Sequence, residues 1–159
     1  MTGLVDAIRE KLEDSCIEDG ALRRKDCEIS LEDAPRLRVV IDFDKPGSPL
    51  GKSRRRCEYL FVADRDGGGG WVVPMEFKSS KINVSRVAEQ LRAGARVAER
   101  LVPRQSPISF RPVAVIYESV NKKQRRDLKE ARNAVRYRGC CEPVRVLQCG
   151  SRLTEVLDA

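Results

Sequence analysis

The sequence predicts one mixed α/β domain in which a helix precedes three strands, and a second helix and a further strand follow. Three observations carry that prediction. The chain of 159 residues is 41% hydrophobic, enough for one core and too short for two full domains. Residues 36–78 hold three β-favouring runs in succession. After them, residues 83–102 place apolar side chains at helical spacing, and residues 110–119 form a nearly continuous apolar run.

Leu4, Ala7, Ile8 and Leu12 lie on one face of a first amphipathic helix. That opening segment is acidic, unlike a secretory leader or a transit peptide, so a cytoplasmic protein is expected. No run nears the ~20 apolar residues that cross a membrane, and no membrane partner is expected. After a polar, irregular stretch, "RLRVVIDFD" (36–44) reads as a strand that ends before the turn-rich "KPGSPLG". "CEYLFVAD" (57–64) and "WVVPMEFK" (71–78) read as the next two strands. They are joined by "DRDGGGG", a hairpin tip rather than a phosphate loop, since no Lys-Ser/Thr and no helix follows it. The succession suggests an antiparallel meander. Pro74 removes a ladder donor within the third strand, which suggests a bulge or an edge there.

In "NVSRVAEQLRAGARVAERLV" (83–102), Val84, Val87, Ala88, Leu91, Ala95, Ala98 and Val102 form one apolar stripe, with Asn83 as N-cap. Arg92, Arg96 and Arg100 make a basic ridge on the other side. "FRPVAVIYES" (110–119) reads as a strand buried on both faces. A charged helix over 121–134, one or two late strands in "VRYRG" and "PVRVLQC", and a short helix in "SRLTEVLD" complete the chain.

Composition narrows the chemistry. The net charge of +7 fits a polyanionic partner, nucleic acid being the main case. "GKSRRR" (51–56) and "NKKQRR" (121–126) supply Lys52, Arg54, Arg55, Lys122, Lys123 and Arg125 as phosphate contacts, the alternative being solvated loops. With only 5% aromatic residues, no base-stacking platform stands out. Histidine is absent, which excludes imidazole bases, Ser–His–Asp and Cys–His systems and His-ligated zinc. The six cysteines include no CxxC pair, so a four-thiolate zinc site and disulfides are both disfavoured, and the thiols read as small buried hydrophobes. Cys57 abuts Glu58 with no base in view and reads as packing.

Glu76 and Lys78 alternate to one face of their strand while Met75 and Phe77 take the other. Glu58 falls on the face of Leu60 and Val62, so pairing of the two strands would bring Glu58 and Glu76 together at one end of the sheet. Paired carboxylates beside a Lys suit a divalent cation better than a core. Asp42 and Asp44 are a competing acidic pair, and a surface ion pair is the plain alternative for Glu76 and Lys78.

"EYLF" on one strand, "EFK" on the next and "EQL" on the following helix resemble the PD-(D/E)xK phosphodiesterase superfamily, which includes restriction endonucleases, junction resolvases and repair exonucleases. The resemblance spans residues 1–118. It implies a restriction-endonuclease-like αβββαβ core with a central mixed sheet flanked by helices. It also implies a nuclease that cuts phosphodiester bonds, DNA foremost, with Mg²⁺ or Mn²⁺ on Glu58 and Glu76, Lys78 assisting the attacking water, and Gln90 supporting the site. Glu58 stands where the family has Asp, a departure that moves the carboxylate by about 1 Å. Some members add a Glu from the first helix, for which Glu10 and Glu13 are the candidates. Many dimerise to cut two strands, so a homodimer is an expectation. A degenerate member that binds nucleic acid or a protein without cutting is the alternative, and an interaction protein with structural acidic residues is a further one.

Overall fold

Gly70–Lys78 and Tyr59–Asp64 lie side by side, antiparallel, with Tyr59 facing Met75 and Asp64 facing Gly70. The computed structural model that shows this describes residues 3–18, 20, 22–49, 57–78, 82–104, 107–117 and 120–157. The elements run α1 (Leu4–Arg9), β1 (Leu22–Arg24), β2 (Cys27–Ile29), β3 (Arg38–Asp42), β4 (Tyr59–Asp64), β5 (Gly70–Lys78) and α2 (Val84–Leu101). They continue with β6 (Ile108–Phe110), β7 (Val113–Ile116), α3 (Lys122–Leu128), β8 (Val135–Tyr137), β9 (Cys140–Glu142), β10 (Arg145–Gln148) and α4 (Thr154–Leu157).

The expected meander is present: β3, β4 and β5 pair antiparallel in chain order. After the α2 crossover, β7 joins β5 in parallel, and β10 adds beside β7, giving the order β10-β7-β5-β4-β3 in a mixed sheet. The short β6 pairs with the first residues of β5. All four residues of β7 are fully buried, as its unbroken apolar run implies.

Alternation divides the core in two. Val39, Ile41, Leu60, Val62, Val72, Ala114 and Ile116 face α1 and α2. Val40, Tyr59, Phe61, Val73, Met75 and Phe77 face the β1–β2 hairpin and α4. The α2 stripe lands as expected, with Val87, Ala88, Leu91, Ala95 and Ala98 buried and Arg96 and Arg100 exposed, but Arg92 is half-buried and donates to the carbonyls of Arg132 and Ala134, both at 3.1 Å. Burying Leu91 alone contributes about 1.5–3 kcal/mol. The Asn83 side chain accepts from the Arg86 amide at 3.2 Å and starts the helix. Pro103 follows the end.

Pro74 occupies an interior strand, where no bulge or edge is needed to accommodate it. On that side of β5 the partner changes from β6, which pairs through Val72, to β7, which pairs from Met75. The Arg111 amide donates to the Val72 carbonyl at 3.0 Å just before the break. The missing Pro74 donor therefore falls where no acceptor is waiting.

Several boundaries differ from expectation. The polar stretch after α1 contains the β1–β2 hairpin, whose strands are too short for alternation to announce them. The charged helix ends at Leu128 and gives way to a single 3-10 turn, Ala131–Asn133. The tail holds three strands rather than one or two. The glycines of the β4–β5 turn are required: Gly67, Gly68 and Gly69 have φ of 89°, 107° and 75°.

The cysteine expectation is corrected. Cys27 and Cys149 are joined in a disulfide across 122 residues of chain. Tertiary docking causes it: the hairpin lies on the segment after β10, where the Gly150 amide donates to Glu28 at 2.9 Å and the Ser30 amide to Ser151 at 3.0 Å. Cys16 and Cys57 are buried as read, but Cys140 and Cys141 are exposed, because they sit on the outer hairpin strand β9.

At Gly94 of α2, a Cβ would stand 2.5 Å from Cys57 Sγ and 3.1 Å from Pro74 Cβ. Helix propensity favours Ala by about 1 kcal/mol, but overpacking costs about 1–3 kcal/mol. G94A is expected to lower stability in urea unfolding, and C57G added to G94A is expected to recover part of the loss.

Candidate active site at the acidic end of the sheet

Glu76 is the penultimate even-numbered position of β5 and points to the α2 side. It is 1% exposed, and its Oε2 meets Lys78 Nζ at 2.9 Å. Its Oε1 is buried and has no hydrogen-bond partner. Burial pushes the Glu76 carboxyl up from 4.5 to about 7, Lys78 and the nearby Glu58 backbone amide pull it down, and the charge of Glu58 adds to the rise. Met75 and Phe77 take the opposite face, as alternation requires.

Glu58 is near but turned. It lies in a bend just before β4 rather than in the strand. Its amide donates to the Met75 carbonyl at 3.0 Å, although Met75 already faces Tyr59. Two residues thus oppose one, the pattern of a β-bulge, and a bulge re-aims side chains. Cys57 keeps to the helix side, beneath Gly94, while Glu58 swings to the side of Tyr59. The expectation that Glu58 shares the face of Leu60 and Val62 is therefore corrected.

Arg24, missed entirely in the sequence, meets Glu58 there. It stacks 4.2 Å from the centre of the Tyr59 ring. Its Nε donates to Glu58 Oε2 at 2.5 Å, and its Nη2 reaches Asp42 Oδ1 at 2.7 Å and Asp44 Oδ2 at 3.2 Å. Its Nη1 donates to the Arg23 carbonyl at 3.0 Å and to the Tyr59 hydroxyl. Burial raises the Glu58 carboxyl; Arg24 lowers it and the adjacent Asp44 raises it again. Only a signal of context could have found Arg24: an Arg one residue from a two-residue turn, cross-strand from a cysteine.

Gln90 lies one helical turn before Gly94, and Gly94 sits over Pro74, two residues before Glu76. Its Oε1 is a second buried acceptor without a partner. The basic α3 starts at the same end: β7 finishes opposite Lys78, and Gln124 Nε2 donates to the Ile82 carbonyl at 3.0 Å. Lys122 and Lys123 are exposed on it. Arg125 is half-buried and donates to the carbonyls of Val120 at 3.0 Å and Tyr117 at 3.3 Å. Lys52, Arg54 and Arg55 lie outside the described residues. Glu10 is exposed at the end of α1, whose first amide donates to Asp64 at the opposite end of the sheet. Glu13 is exposed and lies against Gly47.

The donors suit a hard cation. Mg²⁺ takes oxygen ligands, commonly one or two carboxylates completed by water and phosphate oxygens. The orphaned Oε1 of Glu76 is the kind of atom such an ion satisfies. Among the described residues, no group of three or more acidic or thiol side chains is arranged to hold a metal ion. The Arg24 guanidinium already stands among Asp42, Asp44 and Glu58. No family model, no curated protein and no solved structure matches the chain.

The raised Glu76 carboxyl makes stability pH-dependent. The unfolded chain releases this proton near 4.5 and the folded chain near 7, so between them the folded state holds more protons. That contribution is full below 4.5 and is lost as pH rises through 7, an effect of about 3 kcal/mol. In metal-free buffer, E76Q is expected to flatten this fall, gaining most over the native chain at pH 8. Urea unfolding from pH 5 to 8 measures it, and parallel curves for both proteins would refute it.

Proposed function

We propose that the chain is a metal-dependent nuclease with a restriction-endonuclease-like core, acting on phosphodiester bonds of nucleic acid, with DNA as the expected substrate and the cytoplasm as the expected location. The observation that carries the reading is the buried, half-paired Glu76 beside Lys78, at the end of an interior strand and next to the start of β4, where Glu58 lies. A structural carboxylate would be paired at both oxygens or exposed. The order of helix, three-strand meander, crossover helix and parallel strand supports the core assignment.

Glu76 and Glu58 would hold Mg²⁺ or Mn²⁺. When bound, such an ion supplies an activated water and neutralises charge on a phosphoryl oxygen. Lys78, paired with Glu76 at 2.9 Å, would orient the attacking water and stabilise the developing charge. Gln90 would accept a hydrogen bond from that water. Lys122 and Lys123 would hold the phosphate backbone from the rim. Arg125 serves first to tie α3 to the end of β7, and its phosphate role is secondary. A homodimer would allow both strands to be cut.

The second reading is a relative that binds nucleic acid without cutting. Glu58 in the place of Asp, with its carboxylate held by Arg24, favours it.

Plasmid DNA incubated with Mg²⁺ or Mn²⁺ separates the two. The nuclease cleaves it, and K78A lowers the rate by at least about 100-fold while still melting as a folded protein. Retarded DNA without cleavage supports the second reading, and neither result removes both.

A further inference from the structure

We propose that Arg65 and Arg145, gathered around Arg111 and Trp71 on the face of the sheet opposite Glu76, form a second surface for the phosphate backbone of nucleic acid, one that senses charge and not sequence. This extends the nucleic-acid reading of the chain and uses none of Glu58, Glu76 and Lys78.

Strand alternation builds the cluster. Trp71 shares its face of β5 with Val73, Met75 and Phe77, away from α2. β10 pairs with β7 so that Arg145 lies beside Val113, a residue of the same face. Arg111 precedes β7 by two residues, and its bond to the Val72 carbonyl sets it next to Trp71. Arg65 comes from the β4–β5 turn. Its guanidinium carbon stands 3.8 Å from the centre of the Trp71 ring, and that of Arg111 stands at 5.5 Å. Burial first and the charge of Arg145 next pull the Arg111 guanidinium down; Glu142 opposes them and Arg65 adds to the fall. Asp64, before Arg65 in the chain, accepts from the Leu4 and Val5 amides at 2.8 and 3.3 Å, and Asp66 is exposed after it. Among the described residues, Arg65 and Arg145 form no ion pair.

Several other arginines are already engaged. Arg24, Arg132 and Arg152 pair with carboxylates, while Arg92 and Arg138 donate to carbonyls. Arg65 is exposed and differs in kind, because a ring rather than an acid holds it. Stacking takes the flat face of a guanidinium and leaves its N–H donors in the plane, where a phosphate meets them as a fork. Trp71 thus positions Arg65 without neutralising it. The aromatic faces themselves are not open to bases. Trp71 is only 8% exposed and carries Arg65, and Phe110 and Tyr137 stack on each other at 4.6 Å. What remains is charge. A nucleic-acid backbone carries one phosphate about every 3.4 Å along each strand, so neighbouring guanidiniums meet successive phosphates of one chain. Such contacts hold a backbone without reading its bases.

Trp71 is the single tryptophan of the chain, so its emission reports from this surface. The full chain is titrated in metal-free buffer with a short, end-labelled DNA duplex, and both the label's anisotropy and the Trp71 emission are followed. The native chain is expected to change its emission at the same midpoint as the anisotropy. R65Q with R145Q is expected to bind on the order of 10-fold more weakly, whatever the DNA sequence, and to lower the slope of log K against log salt by about 2. K122Q with K123Q is expected to keep the emission change. Melting curves establish that each variant is folded. Should the double arginine variant not fold, R145Q alone, which leaves Arg65 on Trp71, is expected to lower the slope by about 1. Native affinity and slope in the arginine variants would overturn the proposal, and binding lost only in K122Q with K123Q would place the DNA at α3 instead. Failure of the duplex to bind would overturn it as well, including the case in which vesicles of phosphatidylserine and phosphatidylcholine shift the emission. Cleavage of plasmid DNA with Mg²⁺ still tests the nuclease reading in each of these cases.

Discussion

Among the described residues, one end of the sheet holds Asp42, Asp44, Glu58 and Glu76 beside Arg24 and Lys78, and much of the local structure answers the repulsion among those carboxylates. Like charges a few ångströms apart in a medium drier than water repel by several kcal/mol. Each carboxylate therefore needs a cation, a donor or a proton. Asp42, only 5% exposed, takes Arg24 and the Asp44 amide, the latter at 2.9 Å. Glu76 takes Lys78 on one oxygen and, near neutral pH, a proton for part of the time. A core built for stability alone would place an apolar residue at position 76, since hydrophobic replacements of buried ion pairs are often neutral or better.

The hairpin follows from the same requirement. β1 and β2 span only three residues each, and they bury Leu22, Cys27 and Ile29 on one face. Their docking brings a guanidinium, rather than an ammonium, to three acceptors at once. Arg suits that place because its planar fork presents several N–H donors in fixed directions, and it stacks on Tyr59 as it does so. Tyr59 in turn donates its hydroxyl to the Arg23 carbonyl at 2.8 Å, so the aromatic ring links the hairpin to the first residue of β4.

Where periodicity was long, the sequence was readable. The 18-residue α2, the three strands of the meander and the buried β7 all announced themselves, and so did Asn83 as a cap. The placement of Glu76 and Lys78 on one face followed from alternation alone. What escaped was set by contacts distant in the chain. The disulfide depends on a hairpin meeting a segment 122 residues later. Arg24 looked like one more basic residue in "RRKD", and only the fold puts it on Glu58. The turning of Glu58 escaped for a different reason. A bulge adds one residue to a strand, and strict alternation past that point then assigns every side chain to the wrong face.

The bulge also explains why position 58 can differ from its neighbours in kind. Cys57 and Pro74 both lie under Gly94 of α2, where a Cβ would stand 2.5 Å from Cys57 Sγ and 3.1 Å from Pro74 Cβ, so the helix packs closely on the chain before β4. The extra residue must then be absorbed at Glu58, where the ladder is already ending. The bulge turns the Glu58 side chain toward Tyr59, where Arg24 holds its carboxylate at 2.5 Å. Glu76 is the opposite case, fixed in an interior strand with α2 over it.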